Sequence, residues 1–202
     1  MLFDKTCRGP RLGPGLTHAW GAGSVVYRAM RRLDASFGIE RWSDGLDWLV
    51  AQSRSRGRPI SQVQYWGHGR RGRAMVDREV LDGSALGRRH PLHAKLDILR
   101  ASLADDCAAL WWWRTCETIG GHQGHEFARS FGRFLGARVA GHTYVIGVWQ
   151  SGLHELAPGA DPHWNVREGF ASGDADDTVA LRSTPHAPNT IHCLQGNVPR
   201  GW

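Results

Sequence analysis

Lysine is nearly missing from this chain: Lys5 and Lys95 are the only two in 202 residues, so the positive charge is almost all arginine. Lys and Arg total 25 against 19 Asp and Glu, a formal net charge of +6. A nucleic-acid-binding chain gathers such cations into a patch or stripe. Here the arginines are dispersed, with no long basic run and no zinc-finger spacing, which argues against nucleic acid as partner. Cysteine is also scarce. Cys7, Cys107, Cys116 and Cys193 lie far apart and form no Cys-x-x-Cys pair. No apolar stretch approaches the ~18 residues that a bilayer span needs. The opening MLFDKTCRGPRLGPG lacks the apolar core of a signal peptide. These absences together predict a cytoplasmic protein with reduced thiols and no membrane partner. Cys107 and Cys193 read as small buried hydrophobes.

What is present is enough to build a core. The hydrophobic share is 41% and the charged share 22%, ordinary for a globular chain. The length fits one domain over residues 1–202. Tryptophan numbers 10, more than the 3 Tyr and 6 Phe together. Most of these rings are expected in the core, and a tryptophan-lined groove for sugar or peptide is the alternative.

Hydrophobic spacing alternates between helix-like and strand-like stretches. GAGSVVYRAMRRL carries Val26, Met30 and Leu33 on one helical face, and DGLDWLVAQSRSR carries Leu46, Leu49 and Val50, with Ser43 and Asp44 as candidate caps. HAKLDILRASLAD aligns Leu96, Leu99 and Leu103. GHEFARSFGRFLG aligns Phe127, Phe131, Phe134 and Leu135. Between them, SFGIERW, ISQVQYW, Ala108–Trp113 and ARVAGHTYVIGVW read as strands, the third apolar throughout as in a strand buried on both faces. GRAMVDREVLDGSAL reads as a polar hairpin turning at Asp82-Gly83. Residues 151–202 are rich in Gly, Pro, Asp and His and read as a loop-rich C-terminal extension. The alternation predicts a three-layer α/β sandwich with a largely parallel central sheet. In such sheets function gathers beyond the carboxyl ends of the strands.

Two strand-like runs end on reactive residues: YWGHGRRG stops at His68, and LWWWRTCETIGG stops at Cys116. A thiol becomes a useful nucleophile when a base or cation stabilises its thiolate. If the two runs are neighbouring parallel strands, His68 and Cys116 meet at one end of the sheet as base and nucleophile. The Gly69 and Cys116 N–H groups are then candidate oxyanion donors. Gly120 and Gly121 are expected to keep the far wall of the site open.

An HG pair ending one strand and a cysteine ending the next, followed by a glycine-bearing loop and a helix, resembles the caspase-like cysteine peptidases. The similarity runs from about Ser24 to Trp149 and is nearest to bacterial caspase-like domains of unassigned function. The histidine-to-cysteine spacing of about 50 residues is also that of caspases. The resemblance implies a caspase-like (flavodoxin-like) sandwich and an endopeptidase without a cofactor, acting on protein or peptide through His68 and Cys116. It also implies that loops after the last strand line the substrate pocket, making Trp149, Glu155, Asp161 and Trp164 candidate pocket residues. Around the cysteine this chain has RTCETIGG where caspases have QACRG, and Glu117 follows Cys116 directly. A non-catalytic caspase-like binding module is the alternative.

Arg70, Arg71 and Arg73 follow His68 and favour an acidic residue at the cleavage site, since guanidinium pairs well with carboxylate. Glu117, Glu155 or Asp161 would select arginine instead. A second enzyme class rests on histidine. His122 with His125, and His90 with His93, are three apart, and His142, His154 or His163 could complete a zinc set of three or four ligands. Against that reading, no His-Glu-x-x-His motif is present.

Overall fold

The computed structural model describes residues 1–9, 15–105, 107–173 and 178–202. It is a mixed α/β fold on a six-stranded sheet. The strands are β1 (Leu2–Asp4), β2 (Phe37–Ile39), β3 (Gln62–Trp66), β7 (Leu110–Arg114), β8 (Arg138–His142) and β10 (Leu153–Leu156). Their spatial order is β10-β8-β7-β3-β1-β2, parallel throughout except for β10. A three-stranded antiparallel unit of β4 (His68–Arg70), β5 (Arg73–Val76) and β6 (Glu79–Asp82) leaves the end of β3. Short strands β9 (Trp149–Gln150) and β11 (Ile191–His192) pair with each other. Among the described residues the α-helices are α1 (Leu16–Ala29), α2 (Trp42–Arg56), α3 (His93–Arg100) and α4 (Gly121–Leu135). No described helix is long and apolar enough to cross a membrane. Residues 10–14, in the loop expected after LFD, lie outside the described residues.

β7 organises both faces of the sheet, because successive side chains of a strand point to opposite sides. Trp111 and Trp113 face α2, α3 and α4, where they meet Phe131 at 5.3 and 5.1 Å between ring centroids. Trp112 faces the other way, into a cluster with Ala140, Leu153 and Ile191, while Tyr27 of α1 packs on Trp66 beside it. One face is thus covered by three helices, the other by α1 and the C-terminal segment. Most of the tryptophans are in the core, as expected: Trp42, Trp66, Trp111, Trp112, Trp113 and Trp164 are all buried.

Arg114, the last residue of β7, is buried with them. Its guanidinium lies 4.3 Å from the Trp112 ring and 4.5 Å from Trp66. It donates to Gln150 Oε1 (3.1 and 2.7 Å), Tyr27 Oη (2.7 Å) and the carbonyls of Gln195 (2.8 Å) and Cys193 (2.7 Å). Burial pulls this guanidinium down to about 10, which leaves it protonated at neutral pH. The cation therefore fastens the C-terminal segment to the sheet.

Several elements depart from the sequence reading, each for a local reason. α4 follows it, with Phe127, Phe131 and Leu135 buried and Gly136 ending the helix in a left-handed cap. α1 starts at Leu16 and exposes Val26 and Met30. Its inward face is set instead by Tyr27, whose hydroxyl lies 2.8 Å from both the Cys193 and Gln195 carbonyls and donates to one of them. α2 begins at Trp42, ahead of the expected caps, because its first N–H is capped from outside by Glu79 of β6 at 2.8 Å. The hairpin turns at Arg71-Gly72 and Asp77-Arg78, not at Asp82-Gly83. Asp82 accepts from Ser84 N–H at 2.8 Å and so opens a short helical turn over Gly83–Leu86. The expected long strand in ARVAGHTYVIGVW stops at His142, and the sheet's antiparallel edge, β10, comes from the segment read as loop-rich extension.

Candidate functional site

β1, β3 and β7 are consecutive parallel neighbours in register, with Phe3 opposite Trp66 and Trp66 opposite Arg114. Adjacent strands lie about 4.8 Å apart, so the loops leaving their carboxyl ends start side by side. Cys7 follows β1, His68 follows β3 and Cys116 follows β7. The histidine is therefore flanked by a thiol-bearing loop on each side.

Each loop is held by its own short-range bonds. After β1, the buried Asp4 carboxylate accepts from Thr6 N–H (2.7 Å) and Thr6 Oγ1 (2.6 Å), turning the chain, and Thr17 N–H at the start of α1 donates to the Cys7 carbonyl at 3.1 Å. The exposed His68 ring meets the edge of Trp20 at 5.7 Å, and its Nε2 lies 3.4 Å from Cys7 Sγ. Among the described residues, Cys116 makes no hydrogen bond with His68. Burial pushes the Cys116 thiol up and Glu117 adds to this, against the Ile146 backbone and Arg182, which favour the thiolate.

The His68 hairpin is clamped onto the cysteine loop. A Cβ at Gly69 would fall on Thr118 Oγ1 and lie 2.7 Å from Thr115 Cβ, so only glycine allows this approach. Gly72 N–H donates to the Thr118 carbonyl at 2.8 Å. Arg71, buried, places its Nε 3.3 Å from Glu117 Oε2, its guanidinium 4.3 Å from the centroid of the Phe170 ring, and an N–H on the Thr178 carbonyl. Burial raises the Glu117 carboxyl, and Arg71, Arg70 and Arg73 offset part of that rise. Glu117 has φ 41°, a left-handed conformation uncommon for a non-glycine residue, with its N–H donating to Tyr144 at 3.0 Å. Such outliers persist only where surrounding contacts over-determine them, and they cluster at functional sites.

The other sequence candidates are scattered. Arg70 ends β4 in solvent near Glu117. Trp149, half-exposed on β9, meets His192 edge-on at 5.4 Å. Glu155 pairs with Arg138 at 2.7 Å, at the opposite end of the sheet from Cys116, because antiparallel β10 carries it away. Asp161 is exposed and pairs with Arg129 of α4 at 2.9 Å. Trp164 is no pocket wall. It is buried, stacks on His154 at 4.8 Å and donates to the Ile119 carbonyl at 3.1 Å, pinning the loop after Cys116 from beneath. The far wall is not open either, since the Phe170 ring fills the space where a Gly120 Cβ would point, 2.8 Å away.

The histidines find other uses. His93 bonds the Leu86 carbonyl at 2.9 Å, His125 meets Trp164 edge-on, and His154 bonds Glu168 at 2.7 Å. Burial works to raise the Glu168 carboxyl, but the His154 and Thr143 hydrogen bonds outweigh it and hold the group below the ordinary range. His142 is sealed in the core with Nδ1 3.2 Å from the Ser151 carbonyl, and burial drives it down to about 3. Among the described residues, no three His, Cys, Asp or Glu side chains are placed to hold a metal ion, so the zinc set does not assemble.

Sequence reasoning missed Cys7 and Arg114. Cys7 follows the short apolar run LFD, which was the same strand-end signal that marked His68 and Cys116. Nothing in LWWWR signals that its arginine turns inward. Compared with known proteins, the chain matches no family model, no curated protein and no solved structure.

Proposed function

We propose that this chain is a cysteine-type endopeptidase of the caspase-like kind, with Cys116 as nucleophile and His68 as general base and acid. The observation that supports it best is the register of β3 and β7, which sets the two residues beyond neighbouring strand ends, with the hairpin clamp fixing one loop against the other. A thiol raised by burial stays protonated at neutral pH, so the base must act as the substrate is attacked. The His68 ring turns from Cys7 toward Cys116 and takes the thiol proton, and the sulfur adds to the peptide carbonyl carbon. The oxyanion receives the Gly69 and Cys116 N–H groups. The amine leaves with the proton from His68, and water then cleaves the thioester by the same base.

The charge around Cys116 favours an acidic residue at the cleavage site. Glu117 is already matched by buried Arg71, which leaves Arg70 and Arg182 to meet a substrate carboxylate. Profiling a peptide library with the purified protein tests this reading. Cleavage after Asp or Glu, abolished in Cys116→Ala with an unchanged circular dichroism spectrum, is the expected result. Cleavage after Arg or Lys would overturn the specificity. Turnover that survives in Cys116→Ala would overturn the nucleophile.

A further inference from the structure

The imidazole proposed to serve Cys116 already has a thiol within reach on its other side. Cys7 Sγ lies 3.4 Å from His68 Nε2, within hydrogen-bond range for sulfur. Chance proximity at a loose loop does not account for this. The Asp4 turn, the Thr17-to-Cys7 backbone bond and the edge of Trp20 together fix both partners. Strand order supplies the rest: β3 lies between β1 and β7, so one ring stands between two thiol-bearing loops. Cys7 is only partly buried, so a small reagent can reach it.

We propose that Cys7 is a second reactive thiol, activated by His68, open to covalent modification by soft electrophiles, and competing with Cys116 for the same base. The step is a simple displacement. The Cys7 proton passes to His68 Nε2, the sulfur pair forms a bond to the electrophilic carbon, and the leaving group departs with the electrons of the broken bond. A thiolate paired with an imidazolium is the form that attacks. While the ring holds the Cys7 proton it cannot take that of Cys116, so Cys7 restrains the site.

The competition with Cys116 rests on the peptidase reading, whereas the activation of Cys7 does not, and the experiment separates them. The intact protein is treated with limiting iodoacetamide, and the label on each cysteine is followed by peptide mass, with exposed Cys107 as internal reference. In Cys116→Ala, Cys7 should label faster than Cys107, and adding either His68→Ala or His68→Gln should slow it about tenfold. In Cys7→Ala, Cys116 should label at least about threefold faster than in the unaltered chain. A Cys7 rate indifferent to His68 overturns the proposal, and a reactive Cys116 whose rate is indifferent to Cys7 overturns the competition. An inert Cys116 in Cys7→Ala, beside a His68-dependent Cys7, would keep Cys7 as a modification site but overturn both the competition and the peptidase reading.

Discussion

Replacing Arg114 by methionine tests whether the buried cation holds the C-terminal segment to the sheet. Methionine nearly keeps the volume and the contact with Trp66 and Trp112, and removes every donor. The five bonds cannot simply be summed, because Tyr27 Oη lies 2.8 Å from both the Cys193 and Gln195 carbonyls and its single proton would continue to serve one of them. Gln150 Oε1 loses every donor, since both of its bonds come from Arg114. Orphaning a buried acceptor costs about 1–3 kcal/mol, and the lost charge-assisted bonds add to that. Relief from burying a cation works the other way. The balance is a loss of about 2–4 kcal/mol, read as a lower urea midpoint, or a Tm lower by about 10 °C for a chain of this size. Arg114→Lys should cost at least as much, because it keeps the buried charge with fewer, non-planar donors. A Met variant within about 0.5 kcal/mol of the parent would refute the reasoning. A Lys variant clearly more stable than Met would show that charge matters more than the fork of bonds.

Three further outcomes follow from the geometry. Gly69→Ala forces a Cβ onto Thr115 and Thr118 and should cost about 1–3 kcal/mol by urea unfolding; a neutral result would mean the hairpin is not clamped. The His142 imidazole titrates at about 3 when folded against an ordinary 6.5, so between those values the unfolded chain binds more protons. Stability should therefore fall as pH drops through that window, by up to about 1.4 kcal/mol per pH unit from this group, and His142→Gln should flatten the slope measured by urea titration at successive pH values. Arg71→Ala leaves the half-buried Glu117 without its nearest cation and should loosen the loop after Cys116, seen as faster amide exchange at Thr118 and Ile119; exchange unchanged there would place the clamp in Gly69 and Gly72 alone.

The parts of the fold that could be read from the sequence were those where one periodicity dominates. The phenylalanine face of α4 and the apolar run of β7 announced themselves, and with them a parallel sheet ending at His68 and Cys116. The failures have a common cause, which is that distant residues decide them. The face of α1 depends on a tyrosine hydroxyl reaching carbonyls at Cys193 and Gln195. The start of α2 depends on Glu79 from another element. Glu155 and Asp161 looked free to bind a substrate, but each is occupied by an arginine that local spacing does not point to. Cys7 escaped notice because the apolar run before it is only three residues long, so the strand-end signal it shares with His68 and Cys116 is faint, although its position in the sheet sets it beside His68.

The antiparallel strand Leu153–Leu156 seals an edge that would otherwise lie open along Arg138–His142. A shortened chain ending before it would not yield a smaller, self-sufficient unit. It would present a row of unpaired N–H and C=O groups on a strand of Val139, Ala140 and Gly141, a ready template for the same strand of another copy. Loss of the last fifty or so residues should therefore register as self-association and fibre-like stacking, making the irregular tail a guard against polymerisation as much as a part of the core.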